Sequence, residues 1–459
     1  MEHTISIIGT GYVGLTTAAI LSSIGYKVYT IDIDEKKIDI IKTGKSYFHE
    51  LGLDEFVENG LKSGNLIPTL SYEESIPNSD IVFSCVGTPD NSDGSSNLEY
   101  IFSAAESFSK YAKDGAVYVQ KSTVPVGTGR KIIKFINEKK HDLEFSYVSN
   151  PEFLAEGSAV HDTLFIDRLV VGGDDKNSLE KIKNIFSKIE EQTVNKDFSN
   201  IADYATFYKT LSGKRTSVEF NSKVVETDLE SAELIKVTAN AFLALKISFA
   251  NSIALLCDKT HADVNNVMNG VGLDDRIGKS FLYAGLGWGG GCFPKDVSGL
   301  ISIAKIHDVE MPIMEAAVNV NNDMADYVIS KIDPNLTEKI AVLGLSFKPG
   351  TSDVRRSPSI KLVNKLIEKG HKVKVYDPKS MDEAIKELDP QVELTENIDQ
   401  CVTNTGVIIL ATEWKEFIDA DWKRIKEISK AKIIIDARNR LDKENMKEIG
   451  FEYKGVGRD

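Results

Sequence analysis

Residues 4–14 read TISIIGTGYVG, a short apolar run followed by three glycines in the spacing G-x-G-x-x-G. The apolar run Thr4–Ile8 predicts a β-strand, and Val13–Ser23 predicts a helix. In such a unit the first glycine makes a tight turn, and the second lets the backbone approach a pyrophosphate. The third lets helix and strand pack closely, and the helix N-terminus faces the phosphates. The stretch therefore predicts a dinucleotide-binding α/β fold.

A carboxylate follows at the position that this fold uses for the ribose. The next predicted strand, Lys27–Ile33, carries Asp32 near its end. A carboxylate there can accept hydrogen bonds from the adenosine ribose hydroxyls, and it repels the additional phosphate of NADP. We therefore predict NAD as the cofactor. The alternative is a glycine turn beside an ordinary surface acid.

Strand-like runs alternate with helical patterns in two series, which indicates parallel sheets covered by helices on both faces. The further strands predicted in the first series are Asp80–Val86, Gly115–Gln120, Phe145–Val148 and Asp167–Gly172. A second series begins with IAVLGLSFKPG at 340–350 and continues through Lys372–Tyr376, Gly406–Ala411 and Lys432–Asp436. The predicted fold class is α/β, with two Rossmann-like doubly wound domains joined by a long central helix.

The central helix is predicted over Leu229–Asp258, which is rich in Ala and Leu and contains no Gly or Pro. Lys236, Asn240 and Asn251 fall in one narrow stripe of it, because positions i, i+4 and i+15 nearly coincide at 100° per residue. A polar stripe on a largely apolar helix needs partners, either other side chains or a ligand. The helix is otherwise interpreted as a scaffold element at a subunit interface.

The predicted domain organisation follows from these series. Residues 1–195 form an NAD-binding Rossmann-like domain and 229–332 a central helical dimerisation domain. Residues 333–459 form a second Rossmann-like domain. Residues 196–228 are polar with some aromatics, and we interpret them as a possible inserted excursion.

Composition narrows the class of protein. The chain has 459 residues, which is too many for one core, and a net charge of −14, which disfavours nucleic acid as a partner. The most apolar stretch, 241–257, is interrupted by polar residues, so no membrane span is predicted. The four cysteines, at 85, 257, 292 and 401, lack metal-ligand spacing, and no signal-peptide pattern opens the sequence. We therefore expect no metal and a cytoplasmic location.

One cysteine has an unusual setting, in the sequence GLGWGGGCFPKD at 285–296. Glycines let the backbone approach a bulky ligand, and Lys295 beside Cys292 favours the reactive thiolate. The alternative is an inert buried cysteine. With NAD, a nucleophilic cysteine suits the oxidation of a primary alcohol to an acid in two hydride transfers, through a thiohemiacetal and a thioester. Asp296 and Glu152 are candidates for the acid–base group.

Other candidates lie after predicted strands, where ligands bind in such sheets. SCVGTP at 84–89 offers Thr88, and QKSTVPVGT at 120–128 offers Thr123. SNPEFLAEG at 149–157 carries Glu152 and Glu156 at i, i+4. From the local pattern alone, these two acids are interpreted as solvent-exposed side chains at the start of a helix, where the helix dipole favours negative charge.

The chain resembles the nucleotide-sugar 6-dehydrogenase family, on motifs that run nearly from end to end. These are GTGYVG, VGTP, STVPVGT, NPEFLAEG, SAELIKVTANAFLALKISFANSIA, GLDDRIG, GGGCFPKD, GLSFKPGTSDVRRSP and DARN. The resemblance implies a homodimer and oxidation of UDP-glucose to UDP-glucuronate, with a C-terminal domain that helps to hold the UDP-sugar. The form CFPKD favours UDP-glucose over the alternatives, GDP-mannose or a UDP-N-acetylhexosamine. A two-electron hydroxy-acid dehydrogenase and a non-catalytic sensor are more distant alternatives.

The resemblance also implies roles for individual residues. Cys292 would be the nucleophile, and Lys236 and Asn240 would stabilise the oxyanion. Asp296, with Thr123 and a water, would handle the proton of the first oxidation, and Glu152 would assist thioester hydrolysis. The predicted cofactor contacts are Gly9, Gly11, Tyr12, Val13, Gly14, Asp32, Lys37, Thr88, Thr123, Lys295 and Arg355. The predicted substrate contacts are Phe153, Leu154, Glu156, Lys236, Asn240, Arg276, Phe281, Tyr283, Gly289, Lys348 and Arg438.

Two departures from the family pattern stand out. The run between DRLVVG and SAELIK is longer than expected, around residues 200–222. The cysteine loop carries Trp288, and Gly291 where a serine is usual.

Overall fold

The protein divides into two compact units, Met1–Thr238 and Ala239–Asp459. The structure, a computed structural model, describes residues 3–91, 93–194 and 223–459. Most of the predicted excursion, residues 196–222, lies outside the described residues.

The first unit is built on an eight-stranded sheet with the order β3-β2-β1-β4-β5-β6-β7-β8. Its strands are β1 Thr4–Ile8, β2 Lys27–Ile31, β3 Leu66–Thr69, β4 Ile81–Ser84, β5 Ala116–Gln120, β6 Phe145–Ser149, β7 Leu169–Gly172 and β8 Val224–Thr227. The first six are mutually parallel, in the strand order 3-2-1-4-5-6 of dinucleotide-binding sheets. The strands β6 and β7 meet antiparallel, and β8 pairs parallel with β7.

Helices cover both faces of this sheet. They are α1 Tyr12–Ser23, α2 Glu35–Lys42, α3 Leu53–Lys62, α4 Tyr72–Ser75, α5 Glu99–Tyr111, α6 Thr128–Lys139, α7 Ala159–Leu164 and α8 Lys176–Val194, with a 3₁₀ turn at Ile76–Asn78. One buried apolar cluster packs α1, α3 and α8 against the sheet, and a second packs α5 and α6. The central strands are buried on both faces because β-branched and aromatic residues fill them, as in Ile81–Ser84.

A helix of 32 residues, α9 Leu229–Thr260, begins in the first unit and ends in the second. Its length and composition would allow it to cross a membrane, but half of its most apolar stretch is buried inside the folded chain. The core helix of a globular protein passes the same test of length and composition.

The second unit contains a six-stranded parallel sheet with the order β11-β10-β9-β12-β13-β14. Its strands are β9 Lys339–Leu343, β10 Val373–Tyr376, β11 Glu393–Leu394, β12 Thr405–Leu410, β13 Ile433–Asp436 and β14 Glu452–Gly455. Its helices after α9 are α10 Val264–Gly272, α11 Phe293–Ile306, α12 Pro312–Ile329, α13 Pro358–Glu368, α14 Met381–Ala384, α15 Ile398–Val402, α16 Lys415–Ile418, α17 Trp422–Ile428 and α18 Lys443–Ile449. Two buried clusters again lie on opposite faces of the sheet.

The predicted fold class is confirmed, since both sheets have the doubly wound strand order and a long helix runs between the two series. The sheet of the first unit is not wholly parallel, because β7 enters antiparallel to β6. The last residues of the predicted excursion contain β8, which belongs to this sheet. The four predicted domain limits remain predictions.

Candidate active site

The turn after β1 brings backbone atoms, rather than side chains, to the start of α1. Gly9 has a φ of 94°, and a Cβ added to it would lie 2.7 Å from the carbonyl oxygen of Cys85 after β4. A Cβ on Gly14 would overlap the carbonyl of Gly9. A Cβ on Gly11 would meet nothing within 4 Å, and no side chain caps the N-terminus of α1. This open space at a helix N-terminus fits the pyrophosphate of NAD.

Asp32 directly follows β2 and is hydrogen-bonded to the glycine turn. Its Oδ2 accepts the N–H and the O–H of Thr10 at 2.9 and 2.6 Å, and its Oδ1 accepts the N–H of Asp34 at 3.0 Å. Lys37 Nζ lies 3.8 Å from Oδ2. Burial raises the pKa of Asp32, but these hydrogen bonds and Lys37 outweigh burial and hold the pKa below its usual range. An ionised carboxylate here suits NAD rather than NADP.

The segments after β4 and β5 carry the two predicted threonines. Thr88 is buried and Thr123 is half-buried. The hydroxyl of Ser122 donates to the carbonyl of Val86 at 2.7 Å, which ties the two segments together. Tyr12 and Val13 form the first turn of α1, where the ring of Tyr12 packs on Phe48 with 4.1 Å between centroids.

Glu152 and Lys236 form a buried ion pair. Glu152 Oε1 lies 3.0 Å from Lys236 Nζ, and the two side chains are 7% and 3% exposed. Glu152 Oε2 accepts the N–H of Leu154 at 2.5 Å. Two buried charges are tolerated because each neutralises the other. The local interpretation of Glu152 as a solvated acid at a helix start is wrong, since it lies between β6 and α7 and is buried.

Two cations lie close to the ring of Phe153. The guanidinium carbon of Arg168 is 3.8 Å from the ring centroid, and Lys236 Nζ is 5.4 Å from it. Lys121 Nζ also lies near, 3.2 Å from Asn150 Oδ1, and burial lowers the pKa of Lys121. Cations over an aromatic face fix its orientation, so Phe153 is held in place beside Glu152.

A cavity of about 180 Å³ opens beside this cluster within the first unit. Glu152, Phe153, Leu154, Lys121 and Arg168 contribute to its wall. This volume is smaller than the roughly 300–1,000 Å³ of sites that enclose a whole ligand.

The segment that bears Glu152 is anchored at its other end by a second buried acid. The N–H of Gly157 donates to Glu50 Oε2 at 2.8 Å. Burial raises the pKa of Glu50 to about 7, although the backbone N–H groups of Gly157, Ala159 and Val160 oppose the rise. Glu156, a predicted substrate contact, precedes this anchor directly.

In the second unit, Cys292 is the N-cap residue of α11 and is half-buried. Pro294 in the first turn has no N–H to satisfy, which suits a helix start. The partial positive charge at a helix N-terminus stabilises an anion, so the position favours a thiolate on Cys292.

Asp296 receives two hydrogen bonds in the same helix start. The amide of Asn240 donates to Asp296 Oδ2 at 2.6 Å, and Lys295 Nζ lies 2.8 Å from Oδ1. Asp296 is 3% exposed, and these two donors satisfy its buried carboxylate oxygens. Asn240, Lys295 and Asp296 therefore form one connected group.

Side chains of two helices hold the glycine-rich approach to Cys292. Asn251 Oδ1 accepts the N–H of Gly285 at 2.8 Å. The side-chain amide of Asn321 pairs with both backbone groups of Trp288, at 2.8 Å to its N–H and 3.0 Å to its carbonyl. The indole of Trp288 donates to Ser248 Oγ at 2.9 Å. The polar stripe of α9 thus finds protein partners at Asn251.

The last glycines of this loop leave room for neighbours. A Cβ on Gly289 would overlap the carbonyl of Arg356, and one on Gly290 would lie 2.8 Å from the ring of Phe347. A Cβ on Gly291 would lie 2.5 Å from the guanidinium of Arg355. The glycine that replaces the usual serine therefore lets Arg355 lie directly against the residue before Cys292.

The predicted substrate residues of this unit differ in how many contacts they make with the rest of the protein. Arg438 donates to the carbonyls of Ala411 and Gly287 at 2.6 and 3.0 Å, so it also stabilises the cysteine loop. The side chain of Arg276 is 88% exposed and pairs with Asp274. The rings of Phe281 and Tyr283 lie near each other, with centroids 6.0 Å apart. Lys348 Nζ lies 5.5 Å from the ring centroid of Phe347.

Within the first unit the structure brings Glu152, Phe153 and Lys236 together, and within the second it brings Asn240, Asp296 and Lys295 together. The roles assigned to these residues remain predictions. Sequence reasoning missed Asn321, which has no motif signal, and Lys121, which stands inside the motif QKSTVPVGT.

Three family models match the chain in order. Residues 3–190 match the NAD binding domain of the UDP-glucose/GDP-mannose dehydrogenase family. Residues 230–323 match its central domain and 341–443 its UDP binding domain. The chain belongs to the UDP-glucose/GDP-mannose dehydrogenase family. The predictions of an NAD-dependent oxidoreductase and of a nucleotide-sugar dehydrogenase are therefore confirmed.

Relatives match over nearly the whole chain. The UDP-glucose 6-dehydrogenase TuaD of Bacillus subtilis (strain 168) is 38% identical, across 99% of this chain and 93% of that protein. The UDP-glucose 6-dehydrogenase of Rickettsia felis is 37% identical, across 99% and 96%. The structure of a UDP-glucose dehydrogenase from Pyrobaculum islandicum superposes with a TM-score of 0.83 at 31% identity, covering 100% and 98%.

Proposed function

We propose that the chain oxidises the C6 alcohol of UDP-glucose to the carboxylate of UDP-glucuronate, with two NAD reduced per sugar. The observation that carries the proposal is the group formed by Cys292 at a helix N-terminus with Asp296, Lys295 and Asn240 beside it. A two-electron dehydrogenase needs no nucleophile of this kind.

The proposed reaction removes two hydrides from C6 and adds the oxygen of one water molecule. The glycine turn and Asp32 would hold NAD, which would supply the hydride acceptor for each of the two oxidations at C6. The first oxidation removes the hydroxyl proton and leaves an aldehyde. The thiolate of Cys292 adds to the aldehyde carbon, and loss of the second hydride converts the thiohemiacetal into a thioester. Water cleaves the thioester, which returns the thiol and releases the acid.

Each role rests on a local feature of the chain. Asp296, with Thr123 and a water, takes the hydroxyl proton, and its contacts with Asn240 and Lys295 hold the carboxylate in place. Lys236 and Asn240 stabilise negative charge on the C6 oxygen. Glu152, paired with Lys236, directs the hydrolytic water. Phe153, Leu154, Glu156, Lys348, Arg276 and Arg438 hold the nucleotide sugar.

The test is the yield of NADH per UDP-glucose consumed to completion, with NAD in excess. We expect two. A yield of one would mean that the reaction stops at the aldehyde and that Cys292 has another role. No NADH with UDP-glucose, but two with GDP-mannose or a UDP-N-acetylhexosamine, would keep the chemistry and change the substrate.

We also infer that a second copy of the chain covers the exposed face of α9, giving a homodimer that acts in the cytoplasm. Phe242, Phe249 and Leu256 are 59%, 49% and 57% exposed and recur every seventh residue, which is the spacing of a helix–helix seam. Phe249→Asp should shift the mass measured by light scattering to that of a monomer. Ile385→Asp, at another exposed apolar residue, is the control and should leave the mass unchanged.

A further inference from the structure

Glu233 lies on α9 near Lys236 and is 2% exposed, yet none of the proposed catalytic roles uses it. Its Oε2 accepts the N–H of Gly127 at 2.6 Å, and its Oε1 accepts the N–H of Gly129 at 2.7 Å. Both donors belong to the start of α6, whose N-cap, Gly127, has no side chain to cap it. A carboxylate from another helix therefore performs the capping.

The glycines of this turn are adapted to the carboxylate. Gly127 has a φ of 85°, which favours glycine. A Cβ on Gly129 would lie 2.9 Å from the ring of Tyr147 and 3.1 Å from Glu233 Oε1. The turn thus places two N–H groups on the two oxygens of one buried acid. Burial raises the pKa of Glu233 to about 7, although the N–H groups of Gly129 and Gly127 oppose the rise. Both hydrogen bonds are charge-assisted when the acid is ionised.

The capped turn closes the segment that carries Thr123. At the start of this segment, Ser122 donates to the carbonyl of Val86. At its end, Gly127 donates to Glu233. Since residues three apart on a helix share a face, the same stretch of α9 bears both the cap and Lys236. The position of Thr123 relative to Lys236 therefore depends on Glu233.

We propose that Glu233 is a positioning residue that acts through Thr123 in the first oxidation. This inference rests on the proposed function, in which Thr123 helps to move the hydroxyl proton of C6. Glu233 touches neither substrate nor cofactor in this scheme, and its effect is confined to the step that uses Thr123.

The chain offers a matched control on the same two helices. Glu230, also on α9, pairs with Arg130 of α6 at 2.8 Å, but this pair is exposed, and Arg130 donates to Glu230 and Asp174 rather than to Glu233. Glu233→Gln keeps the shape of the side chain, yet an amide has only one acceptor oxygen, so its NH₂ faces one of the glycine N–H groups. Glu230→Gln removes an ion pair between α9 and α6 and leaves the capped turn intact.

The experiment compares oxidation of UDP-glucose with oxidation of its C6 aldehyde, which enters after the first step. We expect Glu233→Gln to lower kcat for the alcohol by about tenfold, the effect of one lost charge-assisted hydrogen bond, and to change kcat for the aldehyde less than about twofold. Glu230→Gln should change both by less than about twofold. Equal slowing of both substrates, or no slowing of either, would overturn the proposal.

A double-mutant cycle with Thr123→Ala checks the route of the effect. We expect Glu233→Gln combined with Thr123→Ala to be no slower on the alcohol than Thr123→Ala alone. Additive losses would overturn the proposal. If Glu233→Gln does not fold, Glu233→Asp keeps both acceptor oxygens at a shorter reach and should show the same selective slowing.

The outcomes separate this inference from the proposed function. A yield other than two NADH per sugar, or full alcohol oxidation by Thr123→Ala, would contradict the proposed function or the role of Thr123. A yield of two with wild-type kinetics in Glu233→Gln would contradict the inference about Glu233 alone.

Discussion

The two units begin their sheets in the same way and diverge after the first strand. In the first unit Asp32, directly after β2, accepts hydrogen bonds from Thr10 in the turn after β1. In the second unit Asp377, directly after β10, accepts the N–H groups of Leu345 and Ser346 in the turn after β9, at 2.8 and 3.1 Å. Each unit thus uses an aspartate from its second strand to hold the turn after its first.

The glycines of the two turns are also equivalent. A Cβ on Gly9 would lie 2.7 Å from the carbonyl oxygen of Cys85 after β4, and a Cβ on Gly344, which has a φ of 99°, would overlap Thr412 after β12. In both sheets the contact joins the two strands at which the strand order reverses, where such sheets bind ligands.

The two units differ in the chain that comes directly after this turn. In the first unit α1 begins at Tyr12, directly after Gly11, so a helix N-terminus faces the ligand position. In the second unit α13 begins only at Pro358, after a long segment that carries Lys348 and Arg355. The same arrangement of an aspartate and a glycine turn is therefore followed by a helix N-terminus with its backbone N–H groups in the first unit, and by a segment with cationic side chains in the second. Substitutions in the two units can test that division, beginning with the largest expected effect.

Cys292→Ala should remove the chemistry and leave the cofactor site intact. We expect acid formation to fall by roughly 10⁴-fold or more, because no other group forms the thioester, while the NAD affinity measured by calorimetry stays at the wild-type value. Cys257→Ala, at a buried cysteine of α9, is the control and should retain activity. Full turnover by Cys292→Ala would sink the thioester mechanism.

Gly11→Ala should separate the ligand role of the first turn from its folding role. The added Cβ meets nothing within 4 Å, so we expect a wild-type Tm, but it intrudes where the pyrophosphate approaches. The NAD affinity should fall at least tenfold, or about 1.4 kcal/mol. Gly270→Ala, also at an open position but within α10, is the control. It should leave the NAD affinity unchanged and raise Tm slightly, because alanine stabilises a helix interior by about 0.5–1 kcal/mol relative to glycine. An unchanged NAD affinity in Gly11→Ala would contradict the assignment of the turn to NAD.

Asp377→Asn should mainly affect stability. Asp377 is 1% exposed, and its Oδ2 accepts from Leu345, Ser346 and the indole of Trp414. An amide in place of the carboxylate leaves buried N–H groups without charge-assisted partners, so we expect a loss of about 1–3 kcal/mol in the free energy of unfolding. Chemical denaturation measures it. A loss of NAD affinity without a loss of stability would mean that the two turns are not divided as described.

Asp32→Asn should mainly affect the cofactor. The turn loses part of its hydrogen bonding, but the larger change is the missing negative charge beside the ribose. We expect KM for NAD to rise and the preference for NAD over NADP to narrow by about tenfold. An unchanged ratio of kcat/KM for the two cofactors would contradict the role of Asp32.

The comparison also shows what the sequence could predict. Local patterns found β1, the glycine turn and Asp32, because a strand, a tight turn and a carboxylate within a short stretch define that unit. They missed β3, which contains Pro68, and β11, which has two residues. A short strand or one with a proline gives little periodic signal.

Local sequence patterns could not predict contacts between side chains that are far apart in the sequence. Glu152 and Lys236 were each named, but their ion pair depends on how β6 and α9 meet, which periodicity does not specify. The same holds for Asn321 on Trp288, and for Asp377, whose equivalence to Asp32 emerges only from the two strand orders. Motifs therefore identified the residues to which we assign chemistry, and the fold supplied the residues that hold them.

The smallest expected effect is a pH dependence of stability in the first unit. Because burial raises the pKa of Glu50 to about 7, the folded state favours its neutral form. The stability that this neutral form contributes is fully present below the unfolded pKa of about 4.3 and is lost as the pH rises through about 7. Glu50→Gln stays neutral at every pH, whereas the wild type loses stability as Glu50 ionises. The Tm of the variant minus the Tm of the wild type should therefore increase by about 2–4 °C from pH 5 to pH 8.

Glu55→Gln, at an exposed acid of α3, is the control, and its Tm difference from the wild type should not change with pH. A constant difference for Glu50→Gln as well would mean that Glu50 is ionised throughout and that the anchor of Gly157 does not change with pH.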